Sequence, residues 1–244
     1  MGTERPKSKR KKDTAGASLS LWALLARSSF YKILAAVALL AAAETAFTCA
    51  FLWRDGGPGN LEVLAGRFLY IFFLIGQGVV YLILIWTEER METESRCTLM
   101  RLRIQGKRLF LIKAAYNVLC LTMLYAVQIW LAIGMTWLYR RSLEPGQASP
   151  QMLFLAFYQI GFLHGLLPLA EVGKWMRNIL MLLALGTTAA GGMDVKGRVT
   201  KVIILATEGG CLVSSVGLYF ADVLLCILWA IEIAVILPKA EEKP

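Results

Sequence analysis

The sequence predicts an all-α polytopic membrane protein with six transmembrane helices, an N-terminal interfacial helix and a second membrane-parallel helix after the second span. Three observations carry this prediction. Of the 244 residues, 57% are hydrophobic and 18% charged, and the mean hydropathy is +0.59, well above the apolar share of soluble domains. Apolar runs of about twenty residues recur, each long enough to cross roughly 30 Å of hydrocarbon at about 1.5 Å per residue. The net charge of +9 sits mostly in two blocks rather than along one face, which argues against nucleic-acid binding.

Residues 1–16 form a basic tail without apolar periodicity, expected to be disordered because it cannot bury enough surface to order itself. No small-residue cleavage site follows the first apolar run, so a signal peptide is not expected. In residues 17–31, Leu19, Leu21, Trp22, Leu24, Leu25 and Phe30 alternate with Ser20, Arg27, Ser28 and Ser29, the pattern of a helix lying in the membrane interface. Residues 32–238 hold the spans, placed at 33–53, 67–87, 111–138, 152–170, 175–193 and 212–237, and residues 239–244 are a C-terminal tail. Six spans put both termini on one side. That side then carries nineteen basic residues against seven on the other, so the positive-inside rule places both termini in the cytoplasm of a multi-pass cell-membrane protein. The outward segment 194–210 contains a short apolar piece, Val202 to Ala206, expected to form a re-entrant or interfacial hairpin.

The loop after the second span, Glu88 to Lys113, is polar and cytoplasmic in this topology. Within it Cys97, Leu99, Leu102 and Ile104, then Leu109 and Leu111, are spaced for an amphipathic helix that presents its charges to the cytosol. Such a helix is a docking surface; a solvated charged loop is the plainer alternative.

Glu94, Thr98, Leu99, Leu102, Arg108 and Lys113 together resemble the stretch after the second span in permeases of the type-2 ABC exporter family. That stretch reads roughly Glu-x-Glu-x-Gly-Thr-Leu, then Leu-x-x-Pro-Ile-Ser-Arg, then a Lys opening the third span. This chain departs from it with Cys97 for Gly, Gln105 for Pro and Lys107 for Ser, and with a shorter step from Arg108 to Lys113. The resemblance implies a transport subunit without a catalytic site of its own. Two copies of a separate ATPase would bind ATP and Mg, and a second permease subunit, the same or homologous, would complete the pathway. Glu94, Thr98, Leu99, Leu102, Arg103, Ile104 and Arg108 would couple to the ATPase, with Ile104 to Arg108 in direct contact. The cargo implied is hydrophobic or amphipathic: a peptide, drug or lipid-like molecule moved outward.

The remaining chemistry is sparse. Cys49, Cys97, Cys120, Cys211 and Cys226 suggest no disulfide framework, and one histidine, His164, cannot assemble a multi-histidine metal site. Gly106-Lys107 and Gly173-Lys174 are followed by Arg and Trp, so neither is a P-loop. Within the spans, Glu44 lies near the midplane and reads either as part of a transport pathway or as a hydrogen-bonded carboxyl within the bundle. Asp222, a second pathway candidate, and Glu232 lie nearer the ends of the last span, where snorkelling is the plainer reading. Gln77, Asn117, Gln128, Gln159 and His164 are expected to hydrogen-bond between helices. Two other functions stay open: the substrate-binding membrane subunit of a vitamin importer, which would need a polar pocket, and a structural membrane protein. An intramembrane prenyl-protein protease is disfavoured, because Thr93 stands where Arg would follow Glu88-Glu89 and a second histidine is missing.

Overall fold

A computed structural model describes residues 19–55, 60–94, 106–143, 151–169, 171–190, 223, 226–231 and 233–234. Its regular elements are all helical: α1 (Tyr31–Asp55), α2 (Asn60–Val63), α3 (Tyr70–Glu94), α4 (Gly106–Ser142), α5 (Met152–Gln159), α6 (Gly161–Leu166) and α7 (Val172–Ala190), with π-helical turns at Ala26–Phe30 and Leu64–Leu69. Three continuous helical stretches, Leu19–Arg54, Leu61–Glu88 and Gly106–Ser142, are long and apolar enough to cross a membrane. These carry the first three predicted spans, and they establish a membrane protein of helical class.

The helices pack in a clear register. Ser29 meets Tyr116 and Thr48 meets Met135, so α1 and α4 run parallel. Phe73 packs edge-on against Tyr125 with ring centroids 6.3 Å apart, and Glu88 pairs with Lys113 at 2.6 Å, so α3 runs antiparallel to α4. Two apolar clusters fill the interior. One, at the end marked by Glu88 and Lys113 (the loop end), joins Leu21, Leu25, Val80, Leu84, Leu121 and Leu185. The other, at the far end, joins Leu64, Phe73, Met135, Tyr139, Phe157 and Leu163.

Three expectations change. The interfacial helix is not a separate element: residues from Leu19 run through the π-helical turn into α1, and Leu21 and Leu25 are buried in the loop-end core. The turn has a local cause, since Ser28 and Ser29 both donate hydroxyls to the carbonyl of Leu25, at 2.9 and 3.0 Å, competing with the backbone ladder. Second, α3 persists to Glu94 and α4 begins at Gly106, so Leu109 and Leu111 belong to a 37-residue helix rather than to a short membrane-parallel one. At about 1.5 Å per residue such a helix is about 55 Å long, well beyond the roughly 30 Å of hydrocarbon.

The third change concerns the predicted fourth and fifth spans. α5 and α6 are short and separated by an extended Ile160 (φ −82°, ψ 113°). α6 then stops at Leu167 (φ −128°, ψ 80°), the residue before Pro168, where ring sterics disfavour the helical region. α7 resumes after this break and runs antiparallel to α4: Asn178 bonds Tyr125, Asn117 reaches Gly186, and Ala190 packs with Phe110 and Ala114. α5 packs at the far end and Ala190 at the loop end. Residues 152–190 therefore traverse the bundle once, as a broken path, where two spans were expected.

Candidate functional site

The break lies level with Tyr125, close to the middle of α4, and five side chains close it. Asn178 Nδ2 donates to Tyr125 Oη at 2.8 Å and to the Gly165 carbonyl at 2.9 Å, while Tyr125 Oη donates to the Leu166 carbonyl. The carbonyls left open at the end of α6 are thus satisfied by side chains of α4 and α7, as non-helical backbone inside an apolar bundle requires. Glu171 bridges the two half-helices: one carboxylate oxygen lies 3.1 Å from His164 Nε2 and the other 2.8 Å from Lys174 Nζ. Its carbonyl accepts the Lys174 and Trp175 amides at 3.1 and 3.3 Å, starting α7, where a carboxylate also suits the positive end of the helix dipole.

Lys174 and Arg177, counted with the cytoplasmic charges in the sequence, are 7% and 2% exposed and belong to this interior cluster. His164 Nδ1 and Asn178 Oδ1 are buried there without a hydrogen-bond partner. Glu44, from α1, is set beside the same region: Gln128 Nε2 donates to Glu44 Oε1 at 2.7 Å, and both side chains are fully enclosed. The Thr48 hydroxyl bonds the Glu44 carbonyl at 2.8 Å, with Met135 Sδ 3.0 Å away.

The expected coupling residues are divided. Arg108 stands exposed on the first turns of α4 and Glu94 ends α3. Thr98, Leu99, Leu102, Arg103 and Ile104, like Asp222, lie outside the described residues. The structure adds what flanks that loop: Glu88 and Lys113, at its two roots, form an ion pair with side chains only 7% and 12% exposed. Among the predicted interhelical hydrogen-bonders, Gln128, Asn117 and His164 make such bonds, whereas Gln159 is exposed. Sequence reasoning missed the cluster of Tyr125, Glu171, Lys174, Arg177 and Asn178 as a unit. Its signal was present: a proline inside an apolar run, then polar residues at three- and four-residue steps on one helical face.

Among the described residues no group of three or more His, Cys, Asp and Glu gathers as a metal site. No protein-family model, curated protein sequence or solved structure matches the chain.

Proposed function

We propose that this chain is the transmembrane permease subunit of an ATP-driven exporter of the type-2 ABC kind, moving a hydrophobic or amphipathic substrate with a separate ATPase as its motor. The observation that supports this reading is the buried Glu88–Lys113 pair at the roots of the charged loop. Lys113 is the lysine that opens the third span in the resembled pattern, and here it ties α4 to α3 where the loop leaves them. A push on the loop reaches both helices, because the pair joins them where the loop leaves. The exposed Arg108 adds a charge for docking, although single exposed pairs contribute only about 0–1 kcal/mol. The break beside Tyr125 supplies a polar region within the apolar bundle, as a transport path needs.

The test uses the full chain, tagged and purified in detergent from its own host, with ATP hydrolysis measured in the eluate. ATPase activity should co-purify with the wild type. Leu102→Pro, which costs about 3 kcal/mol in a helix interior, and the double change Arg103→Ala with Arg108→Ala should reduce that activity or its stimulation by cargo while the chain stays in the membrane. An eluate without ATPase activity, or full coupling in Leu102→Pro, overturns the reading.

A further inference from the structure

Between Lys32 and Arg54 the sequence of α1 holds a single carboxyl or cationic side chain, Glu44. It is enclosed together with its partner from α4: Glu44 and Gln128 are 1% and 0% exposed. Gln128 Nε2 donates to Glu44 Oε1 at 2.7 Å, and the two oxygens left over, Glu44 Oε2 and Gln128 Oε1, both lack a donor. The helices packed against α1 are α3 and α4, and neither brings a charge to this level. α3 has no ionisable side chain between Tyr70 and Tyr81, and α4 has none between Tyr125 and Tyr139. The Tyr125 hydroxyl, one turn from Gln128, is engaged with the Leu166 carbonyl and Asn178. Among the described residues the Glu44 carboxyl has no polar partner but Gln128, so neither Lys174 nor Arg177 of α7 neutralises it.

We infer that Glu44 is a proton-binding site, a neutral carboxylic acid that closes a two-bond ring with the Gln128 amide. An ionised carboxylate enclosed without a cation is strongly disfavoured. One proton, taken from water onto Glu44 Oε2, removes the charge and turns that oxygen into a donor for Gln128 Oε1. Both orphaned oxygens are then satisfied by the same hydrogen bond, and all four polar atoms of the pair are engaged. The conclusion does not depend on which end of the amide carries the nitrogen. Turned over, the amide oxygen would sit 2.7 Å from a carboxyl oxygen, a contact that two acceptors make only with a proton between them. The site ties α1 to α4 while the proton stays, and the proton returns to water when the two helices part. This inference goes beyond the exporter reading and does not rest on it.

Infrared difference spectra of the full chain in nonionic detergent at about pH 6, where ordinary carboxyls (about 4.3 for Glu) are ionised, test it. Wild type minus Glu44→Gln should contain the carbonyl stretch of a protonated acid, moving to lower frequency in D₂O. In Gln128→Leu the band should persist at higher frequency, because the acid carbonyl loses its amide donor. Denaturant unfolding of the wild type and Glu44→Gln supplies a second readout. The native chain keeps a proton that the unfolded chain has released, so the wild type should lose stability as pH rises. Its ratio of folded to unfolded chain should fall about tenfold relative to Glu44→Gln over about one pH unit, from about 5.5 to 6.5. A carboxylate band in place of the acid band, which a bound water or sodium ion would leave, overturns the assignment. So does an acid band that Gln128→Leu does not move, or a ratio to Glu44→Gln that is flat with pH.

Discussion

Glu44 and Gln128 show what a single residue can and cannot announce. A carboxylate in the middle of an apolar run stands out in the sequence, and the two readings it invites, pathway or helix contact, differ in their partner. That partner is tertiary: Gln128 lies in α4 at a matching height, and no local pattern pairs the two. In the structure Glu44 is 1% exposed and bonds Gln128 at 2.7 Å, while Glu44 Oε2 and Gln128 Oε1 both lack a donor. Glu44→Gln replaces one carboxylate oxygen by an NH₂ group and can serve the orphaned Gln128 oxygen. It should therefore leave thermal stability in detergent unchanged or raised. Glu44→Ala strands Gln128 in the interior and should lower stability by about 1–3 kcal/mol. Tryptophan fluorescence during thermal unfolding compares the variants. If Glu44→Gln unfolds as early as Glu44→Ala, the negative charge itself holds α1 to α4 and the contact reading is wrong.

The elements whose hydrophobic length alone decides them were legible: α1, α3 and α4 follow from runs long enough to cross hydrocarbon. The broken traverse was not, because hydropathy counts apolar residues and is blind to backbone direction. Met152 to Ala170 scores as a span, but the residue before Pro168 leaves the helical region and Ile160 is extended, so 8- and 6-residue pieces replace one helix. The loop-end half of the traverse is held by close backbone approach at Gly186. A Cβ there would meet Val118, including its backbone nitrogen at 3.0 Å, and the Ala114 carbonyl at 3.2 Å. Backbone cannot swing aside as a side chain can, so Gly186→Ala should destabilise by about 1–3 kcal/mol through overpacking, beyond the roughly 0.5–1 kcal/mol that Ala gains over Gly in a helix. Gly173→Ala, with open space around it, should keep that gain and stabilise. Opposite signs on one helix, measured in the same thermal assay, check the α4–α7 packing; the same sign for both would refute it.

At the scale of the whole molecule, the single traverse of residues 152–190 changes which side of the membrane the following chain reaches. Two spans there would bring residues 194–210 outside, as the six-span expectation holds. Four traverses, α1, α3, α4 and the broken path, instead deliver Ala190 to the loop end, beside Phe110 and Ala114. That arrangement predicts Lys196, Arg198 and Lys201 on the side that the positive-inside rule assigns to the N-terminal tail and the Glu88 to Lys113 loop. With the sequence-expected span at 212–237 kept, this arrangement predicts five crossings in place of six. Single cysteines at Ser95, Ser149 and Thr200, on a background without other cysteines, test this in intact cells with a membrane-impermeant maleimide. Ser149 should label from outside, and Ser95 and Thr200 only after the cells are opened. External labelling at Thr200 together with protection at Ser95 restores six crossings and places α7 against α4 in the wrong direction.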